Sequence, residues 1–496
     1  LVIIMVSSRD ARVLIVVFDA LRPEFLNSDV MPNLSAFAEA GVRYTDSHST
    51  FPTETRVNQS AVTTGCMPRG HGIVGNKFVV DDLGRRQVLN TGDDAALEAA
   101  IPHLRSGLLG VPTLSEIVTA NGLSYASLST GTSGGGRLIN PRSDASGSFR
   151  LALRRPEAST PHGAFDAVTA KIGPMPTYAL PAKEWVTWGV NAYLDYVETE
   201  IAPDVMVLWL CEPDESFHKL GIGSPASIEA ISHVDREFGR ILEHHAGSLA
   251  DGSLQIVAMS DHGQTTLAGE PLDLPSVFTD AGFAAVGASD QPVCHVVVDN
   301  AGGVWLDESQ RGLRGEMIAW LREQPWCGPL FTADGIAGTL RQADICIEHP
   351  RAPDISLVLR SDQSANAWGY NGTTQHDAPY PIGGGCHGGL SRAELHNVLT
   401  LGGSAFAGGR VIDVPAGNID VLPTVLHVLG VDIPAHIEGR ILREALRGAG
   451  DEQGDLPVRR QSLQSTNTVG PITKLECVEV QGARYLHAAW VEPNPK

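Results

Sequence analysis

The residues able to do chemistry stand in short clusters, each beside an apolar run. Asp19 closes Val13–Phe18, Asp214 follows Val205–Leu210 across a Cys-Glu-Pro bridge, and Asp261 with His262 follows Leu254–Met259. His218 lies at i+4 from Asp214, a spacing that puts a carboxylate and an imidazole on one face of a helix or tight turn. His387 sits in Gly383-Gly-Gly-Cys-His-Gly-Gly389, where glycines let the backbone crowd a site. A single strand-end Asp usually caps a helix or makes a turn, and a single His is usually structural. Three Asp and three His in such places instead offer the N/O donor set that suits Zn²⁺ or Mn²⁺. Thr55 lies in Phe51-Pro-Thr-Glu-Thr-Arg-Val-Asn58, just before the helix-like Gln59–Thr64. A hydroxyl there is commonly an N-cap. The alternative is a nucleophile, because helix N-termini stabilise anions and a nearby metal activates a hydroxyl at neutral pH.

The elements that must position these residues follow from hydrophobic periodicity. Val13–Phe18, Val205–Leu210 and Leu254–Met259 are continuous and apolar on both faces, as buried parallel strands are. Ile355–Leu359 and Val398–Leu401 read as two more. Helical patterns alternate with them at Pro32–Ala40, Ala226–His245 and Ile419–Leu429. The alternation predicts an α/β fold, a doubly wound and mostly parallel sheet with helices on both faces. In such a sheet ligands bind outside the carboxyl ends of the strands, so the three strand-end acids should converge on one edge. The core is expected at 1–78, 110–130, 185–275 and 350–447. Segments 79–109 and 131–184 read as a lid or insertion, and 280–349 as an inserted α+β subdomain. Residues 448–496 read as a polar linker, Gly448–Asp455, and a C-terminal hairpin, Leu475–Val480 with Arg484–Trp490.

Composition narrows the partners. The 496 residues are 43% hydrophobic and 19% charged, which excludes a mostly disordered chain. Lys+Arg number 36 against 57 Asp+Glu, a formal charge of -21 that excludes nucleic acid polymers as favoured partners. The seven Cys are scattered without a CxxC, so they read as buried thiols of a reducing compartment, and the expected location is cytoplasmic. No apolar run reaches the ~18 residues of a membrane span, and Leu1–Val6 is a poor signal peptide.

Taken in order, these motifs resemble the alkaline phosphatase superfamily, and within it the type I phosphodiesterase/nucleotide pyrophosphatase group. The resemblance rests on Val16-Val-Phe-Asp-Ala-Leu-Arg-Pro23, Phe51–Asn58 and Thr64-Gly-Cys-Met-Pro-Arg-Gly-His-Gly-Ile-Val-Gly-Asn-Lys77. It continues through Glu212-Pro-Asp-Glu-Ser-Phe-His218, Ser260-Asp-His-Gly263, Cys386-His-Gly388 and Asn418-Ile-Asp-Val-Leu-Pro-Thr424 with Gly439-Arg-Ile-Leu442. It spans nearly the whole core; the insertions carry no such motif.

The resemblance implies a two-metal hydrolase of phosphate diesters or pyrophosphates that works through a phospho-threonine intermediate. Two Zn²⁺ are the normal cofactors, with Mn²⁺ as the alternative. Asp214, His218 and His387 would hold one ion, and Asp19, Asp261, His262 and the Thr55 hydroxyl the other. Thr55 would attack phosphorus in line, and Asn58 with the Thr55 N–H would hold a non-bridging oxygen. His71 and Asn76 match the same stretch as supporting residues. Arg56 stands where the family commonly has Phe, and is a candidate substrate contact. Phosphonoacetate hydrolases are similar in the core and grip a carboxylate with a lysine pair; here that place holds Thr130–Arg137, without Lys, leaving Arg137 as the candidate. The alternatives are therefore a carbon–phosphorus hydrolase or phosphomonoesterase on the same site, and a non-catalytic metal-binding protein of the same fold. The partner expected is a small phosphate ester or phosphonate. Trp188, Trp209 and Phe217 lie near the motifs, where they would stack on a base or belong to the core.

Overall fold

A computed structural model describes residues 11–81, 86–289, 292–448, 456–467 and 470–493. Its centre is a nine-stranded sheet. The strands run in the order Arg410–Ile412, Val42–His48, His396–Gly403, Leu254–Met259, Arg12–Phe18, Val205–Leu210, Tyr125–Ser129, Phe149–Ala152, with Ala416–Gly417 also paired to Val42–His48. Every pairing is parallel except the two made by His396–Gly403. The doubly wound, mostly parallel sheet expected from the sequence is present.

Strand Arg12–Phe18 shows why its residues are apolar throughout. Leu14, Val16 and Phe18 enter one hydrophobic core and Val13, Ile15 and Val17 enter another on the opposite face. Helices Pro32–Ala40 and Pro225–His244 cover the first face, and Phe238 meets Phe18 edge to face with ring centroids 5.5 Å apart. Helices Thr55–Thr64, Leu114–Ala120 and Val421–Val428 cover the second. Pro225–His244 starts where Ser224 accepts from the Ser227 N–H and Pro225 fixes the first turn. Its stripe of Ala230, Ile231, Val234, Phe238 and Ile241 faces the sheet.

Three expectations are revised. Phe149–Ala152 pairs in parallel with Tyr125–Ser129, so part of the segment 131–184 extends the central sheet instead of forming a lid. Ile355–Leu359 joins a separate five-stranded sheet with Cys294–Val298, Ala301–Leu306, Cys327–Thr332 and Leu340–Arg341, and packs into that sheet's own core. Its apolar run reports burial on two faces, which that sheet supplies as well as the central one. The C-terminal hairpin gains a third strand, Val458–Gln464, beside Ile472–Val480 and Ala483–Glu492. The polar linker lies outside the described residues from 449 to 455. Among the described residues no helix is long and apolar enough to cross a membrane, and all seven Cys are buried and free of disulfides.

Candidate active site

The carboxyl edge of the central sheet gathers the residues that the sequence singles out. Asp19 leaves the end of Arg12–Phe18. Asp214 opens the helix Asp214–Leu220 just past Val205–Leu210, so His218 comes round one turn later on the same face. Asp261 and His262 follow Leu254–Met259. Thr55 is the first residue of helix Thr55–Thr64, and its hydroxyl points back to this edge. His387 arrives on the loop after the short strand Gly385–Cys386.

The geometry divides into two groups that meet at His262. In one, His262 Nε2 lies 3.3 Å from Asp261 Oδ2 and 3.6 Å from Asp19 Oδ1. The Thr55 Oγ1 completes it, 3.2 Å from His262 Nε2 and 3.5 Å from Asp19 Oδ1. In the other, Asp214 Oδ1 is 3.3 Å from His218 Nε2 and 3.4 Å from His387 Nε2. The rings of His262 and His387 stack with centroids 4.0 Å apart, and Asp214, His262 and His387 also present one ligand atom each to a common point.

The remaining contacts fit a cation-holding role. All three imidazoles place Nδ1 on a backbone carbonyl: His218 on Gly385 O at 2.8 Å, His262 on Gly263 O at 3.0 Å, and His387 on Thr53 O at 2.9 Å. That carbonyl takes the single proton of a neutral ring and leaves the Nε2 lone pair facing the cluster, the arrangement of a metal-ligating histidine. Asp19 accepts from the Trp209 indole N–H at 3.0 Å, and Asp261 Oδ1 from the N–H groups of Ala20 and His262, both at 3.0 Å. Asp261 Oδ2 is buried with no hydrogen-bond partner. Burial first, and then neighbouring carboxylates, push Asp19 and Asp261 above the ordinary carboxylate range. Burial and the nearby His262 hold His387 well below the usual imidazole range. Clustered acids with an orphaned oxygen, facing imidazoles anchored through Nδ1, are a set whose charge a divalent ion would balance.

The glycine run supports this closeness. A Cβ on Gly384 would lie 2.3 Å from His218 O, and one on Gly385 would lie 2.1 Å from Gln264 Oε1. Beside the cluster opens a cavity of ≈ 270 Å³ whose wall includes Glu54, Arg56, Asn76, Lys77, Asp299 and Tyr380. The Tyr380 ring stacks on His218 with centroids 4.1 Å apart.

Two assignments change. Asn58 is sealed in the protein: its Nδ2 donates to the carbonyls of Thr50, Pro52 and Glu54, and its Oδ1 accepts from the Thr50 N–H at 2.8 Å and from Asn418 Nδ2 at 2.8 Å. It holds the loop before Thr55 and has no donor left for a substrate oxygen. Asn76 lines the cavity, and its Oδ1 accepts from the Arg56 N–H at 3.2 Å, which leaves its Nδ2 for the cavity side. Arg137 is held by the buried Asp94 carboxylate, which also pairs with Arg155 at 2.6 Å, and it is not part of the cavity wall. Arg56 does line the cavity. Trp209 serves Asp19 rather than a base, and Trp188 and Phe217 are core residues. Gln264, whose amide donates to Asp214 Oδ1, was signalled only by its place two residues after His262. Tyr380 and Asp299 come from segments with no motif.

A hydroxyl at a helix N-terminus and two linked carboxylate–imidazole groups meet on the carboxyl edge of a doubly wound sheet of the alkaline-phosphatase-like fold. Residues 13–320, more than half of the chain, match the family described as type I phosphodiesterase / nucleotide pyrophosphatase. The chain belongs to this family, which is metal-dependent and whose members support hydrolysis of phosphodiester or pyrophosphate bonds. It is 24% identical over 249 residues to ectonucleotide pyrophosphatase/phosphodiesterase family member 3 of Bos taurus, an overlap of 49% of this chain and 24% of that protein. It is 23% identical over 270 residues to venom phosphodiesterase 2 of Crotalus adamanteus, covering 53% and 28%. The chain thus spans about a quarter of the length of the curated relatives it matches. Human ectonucleotide pyrophosphatase/phosphodiesterase 5 has the same fold, with a TM-score of 0.60, 17% identity and coverage of 88% of this chain and 100% of that one. The murine counterpart, as an inactive variant in complex with AMP, gives a TM-score of 0.58 at 17% identity, covering 86% and 96%.

Proposed function

We propose that the chain hydrolyses phosphate diesters or pyrophosphates of the nucleotide type, with Thr55 as the nucleophile. The observation that carries this reading is the Thr55 Oγ1 at the start of a helix, within 3.5 Å of both His262 Nε2 and Asp19 Oδ1. Asp19, Asp261 and His262 with the Thr55 hydroxyl would hold one Zn²⁺, and Asp214, His218 and His387 the other. The two ions would polarise phosphoryl oxygens and lower the pKa of an attacking hydroxyl or water. Thr55 Oγ1, its proton given up to solvent, would attack phosphorus, and the departing oxygen would take up a proton from water. The bond to the leaving group breaks, and a phospho-threonine results. Water then cleaves that ester and regenerates the hydroxyl. Asn76 Nδ2 and the Thr55 N–H, at the positive end of the helix, are the donors for the non-bridging oxygen. Arg56 and Lys77 are the cations of a cavity wall that also carries Glu54, Asp93, Asp214, Glu215 and Asp299, so it is the two divalent ions that would make the site attractive to an anion. The murine structure with AMP supports a nucleotide as the organic group.

A substrate comparison tests the reading. The zinc-loaded chain is assayed with bis-p-nitrophenyl phosphate, a nucleotide p-nitrophenyl ester, p-nitrophenyl phosphate and phosphonoacetate at matched concentration. Diesters are expected to lead in kcat/KM. A monoester or phosphonate preference of about a hundredfold, ~2.7 kcal/mol of transition-state binding, would overturn the substrate class. Two bound zinc ions with no turnover on any of the four would instead establish a metal-binding protein of the same fold. The phosphonoacetate arm matters because Arg56 and Lys77 remain available to a carboxylate although Arg137 is not.

A further inference from the structure

Outside the cleft, Asp46, His48, His396 and His487 form a second kind of centre. Asp46 and His48 end the strand Val42–His48, His396 opens the antiparallel strand His396–Gly403, and His487 comes from Ala483–Glu492 of the C-terminal sheet. One ligand atom from each lies within 4.8 Å of all the others. His48 Nε2 is 3.3 Å from Asp46 Oδ1 and 3.4 Å from His487 Nδ1, and His396 Nδ1 is 3.8 Å from the same Asp46 oxygen. Ligands held about 2.0–2.1 Å from a tetrahedral Zn²⁺ are about 3.3–3.4 Å from one another. Two edges of this cluster already have that length.

Hydrogen bonding satisfies the cluster only in part. His48 Nδ1 lies on Ala416 O at 3.2 Å, so the Nε2 of the neutral ring is a lone pair; it faces a carboxylate oxygen and has only the long 3.4 Å contact with His487 Nδ1 as a donor. The His48 side chain is 0% exposed, and an isolated second charge on it would be poorly solvated. His396 Nδ1 is too far from Asp46 to donate, and its Nε2 is buried with no partner. The backbone-carbonyl anchoring of His48 repeats that of His218, His262 and His387.

We infer that Asp46, His48, His396 and His487 bind a divalent transition metal of the zinc type, separate from the cleft, which fastens the C-terminal sheet to the central one. Asp46 supplies the oxygen donor, and the three imidazoles supply nitrogens. Arg392 regulates the fourth ligand: its exposed guanidinium donates to His487 Nε2, which puts the ring proton on Nδ1. When Arg392 swings to solvent, the proton moves to Nε2 and the Nδ1 lone pair reaches the ion. The centre also touches the cleft through one residue. Asn397, next to His396, donates to Ser260 O at 2.7 Å and to Asn418 Oδ1 at 2.6 Å, and Asn418 donates to Asp261 O at 2.6 Å.

The test counts zinc in the full chain. In an Asp214→Ala/Asp261→Ala background, which weakens the cleft set, the zinc-loaded and desalted protein is expected to retain one zinc per chain by mass spectrometry. Adding His487→Gln or Asp46→Asn removes it, and Arg392→Ala strengthens its retention against a chelator. Cobalt loading gives tetrahedral visible bands that vanish in the same two variants. The wild type and His487→Gln, compared directly, should differ by one zinc, with diester turnover changed by less than about tenfold. No zinc retained in the folded background, or equal retention with both His487→Gln and Asp46→Asn, overturns the proposal. Failure of the cleft assignment would show separately, as a wild-type count no higher than that of the background.

Discussion

The Thr55 hydroxyl has acceptors on two sides, His262 Nε2 at 3.2 Å and Asp19 Oδ1 at 3.5 Å. Thr55→Ala is therefore expected to lower kcat on a diester by at least ~10³-fold, and Thr55→Ser to keep measurable turnover because the oxygen remains. Full activity in Thr55→Ala would end the nucleophile assignment. The two asparagines separate a stability role from a catalytic one. Asn58→Ala leaves the Thr50 N–H and Asn418 amide without their buried acceptor, at a cost of about 2–3 kcal/mol in urea unfolding. Asn76→Ala removes a donor from the cavity wall, and kcat should fall by about 10²–10³-fold with KM little changed. If Asn58→Ala instead lost kcat without losing stability, the roles would be reversed. The family resemblance gives Asn58 the oxyanion role through the motif Phe51–Asn58, three residues from Thr55. On a helix that spacing turns it inward, under the loop, whereas the distant Asn76 returns to the cavity wall by folding.

At the scale of elements, the loop from Gly383 to Leu395 decides where His387 stands. Gly384 passes so close to His218 that a Cβ would lie 2.3 Å from its carbonyl oxygen and 2.8 Å from Pro381 O. Both neighbours are backbone and cannot step aside cheaply. Glu394 closes the loop, accepting from Asn300 Nδ2 at 2.7 Å, the Gly389 N–H at 2.8 Å and the Ser391 hydroxyl at 2.7 Å. Gly384→Ala should therefore weaken zinc retention by about 10–100-fold while leaving far-UV circular dichroism intact, since it displaces a ligand without breaking the sheet. Unchanged zinc affinity would show that the close approach is incidental. The glycine run and the strand-end acids were legible in the sequence because each carries a local constraint: a backbone contact, or a carboxylate at the end of an apolar run. The partner of an apolar strand was not. Ile355–Leu359 has the same composition as the central strands, yet it pairs with Ala301–Leu306 and Cys327–Thr332. Composition registers burial, while pairing depends on segments far along the chain. Tyr380 and Asp299 were invisible for the same reason, since only the folded chain brings them to the cavity.

For the whole molecule, the acid limit of stability falls on buried histidines as well as on the acidic surface. His71 is 0% exposed, accepts the Ile73 N–H on Nδ1 at 3.1 Å, and has no partner for Nε2. Burial, then the neighbouring His349 and Arg351, lowers it from 6.5 to about 3. The folded state therefore keeps this ring neutral, while the unfolded chain takes up a proton as pH falls below about 6.5. More protons on the unfolded side mean that stability is fully present above that pH. It declines between about 6.5 and 3 by up to ~1.4 kcal/mol per pH unit from this one group. His71→Phe removes the titration but also the hydrogen bond to Ile73, so it should be less stable at pH 7.5. The test is the slope: urea unfolding of both proteins at pH 7.5, 6, 5 and 4.5 should show the difference between them shrinking as pH falls. Carboxylates elsewhere titrate in both proteins and cancel in that difference. A gap that stays constant across the series would mean that His71 is protonated without penalty in the folded state, and that the acid limit belongs to other groups.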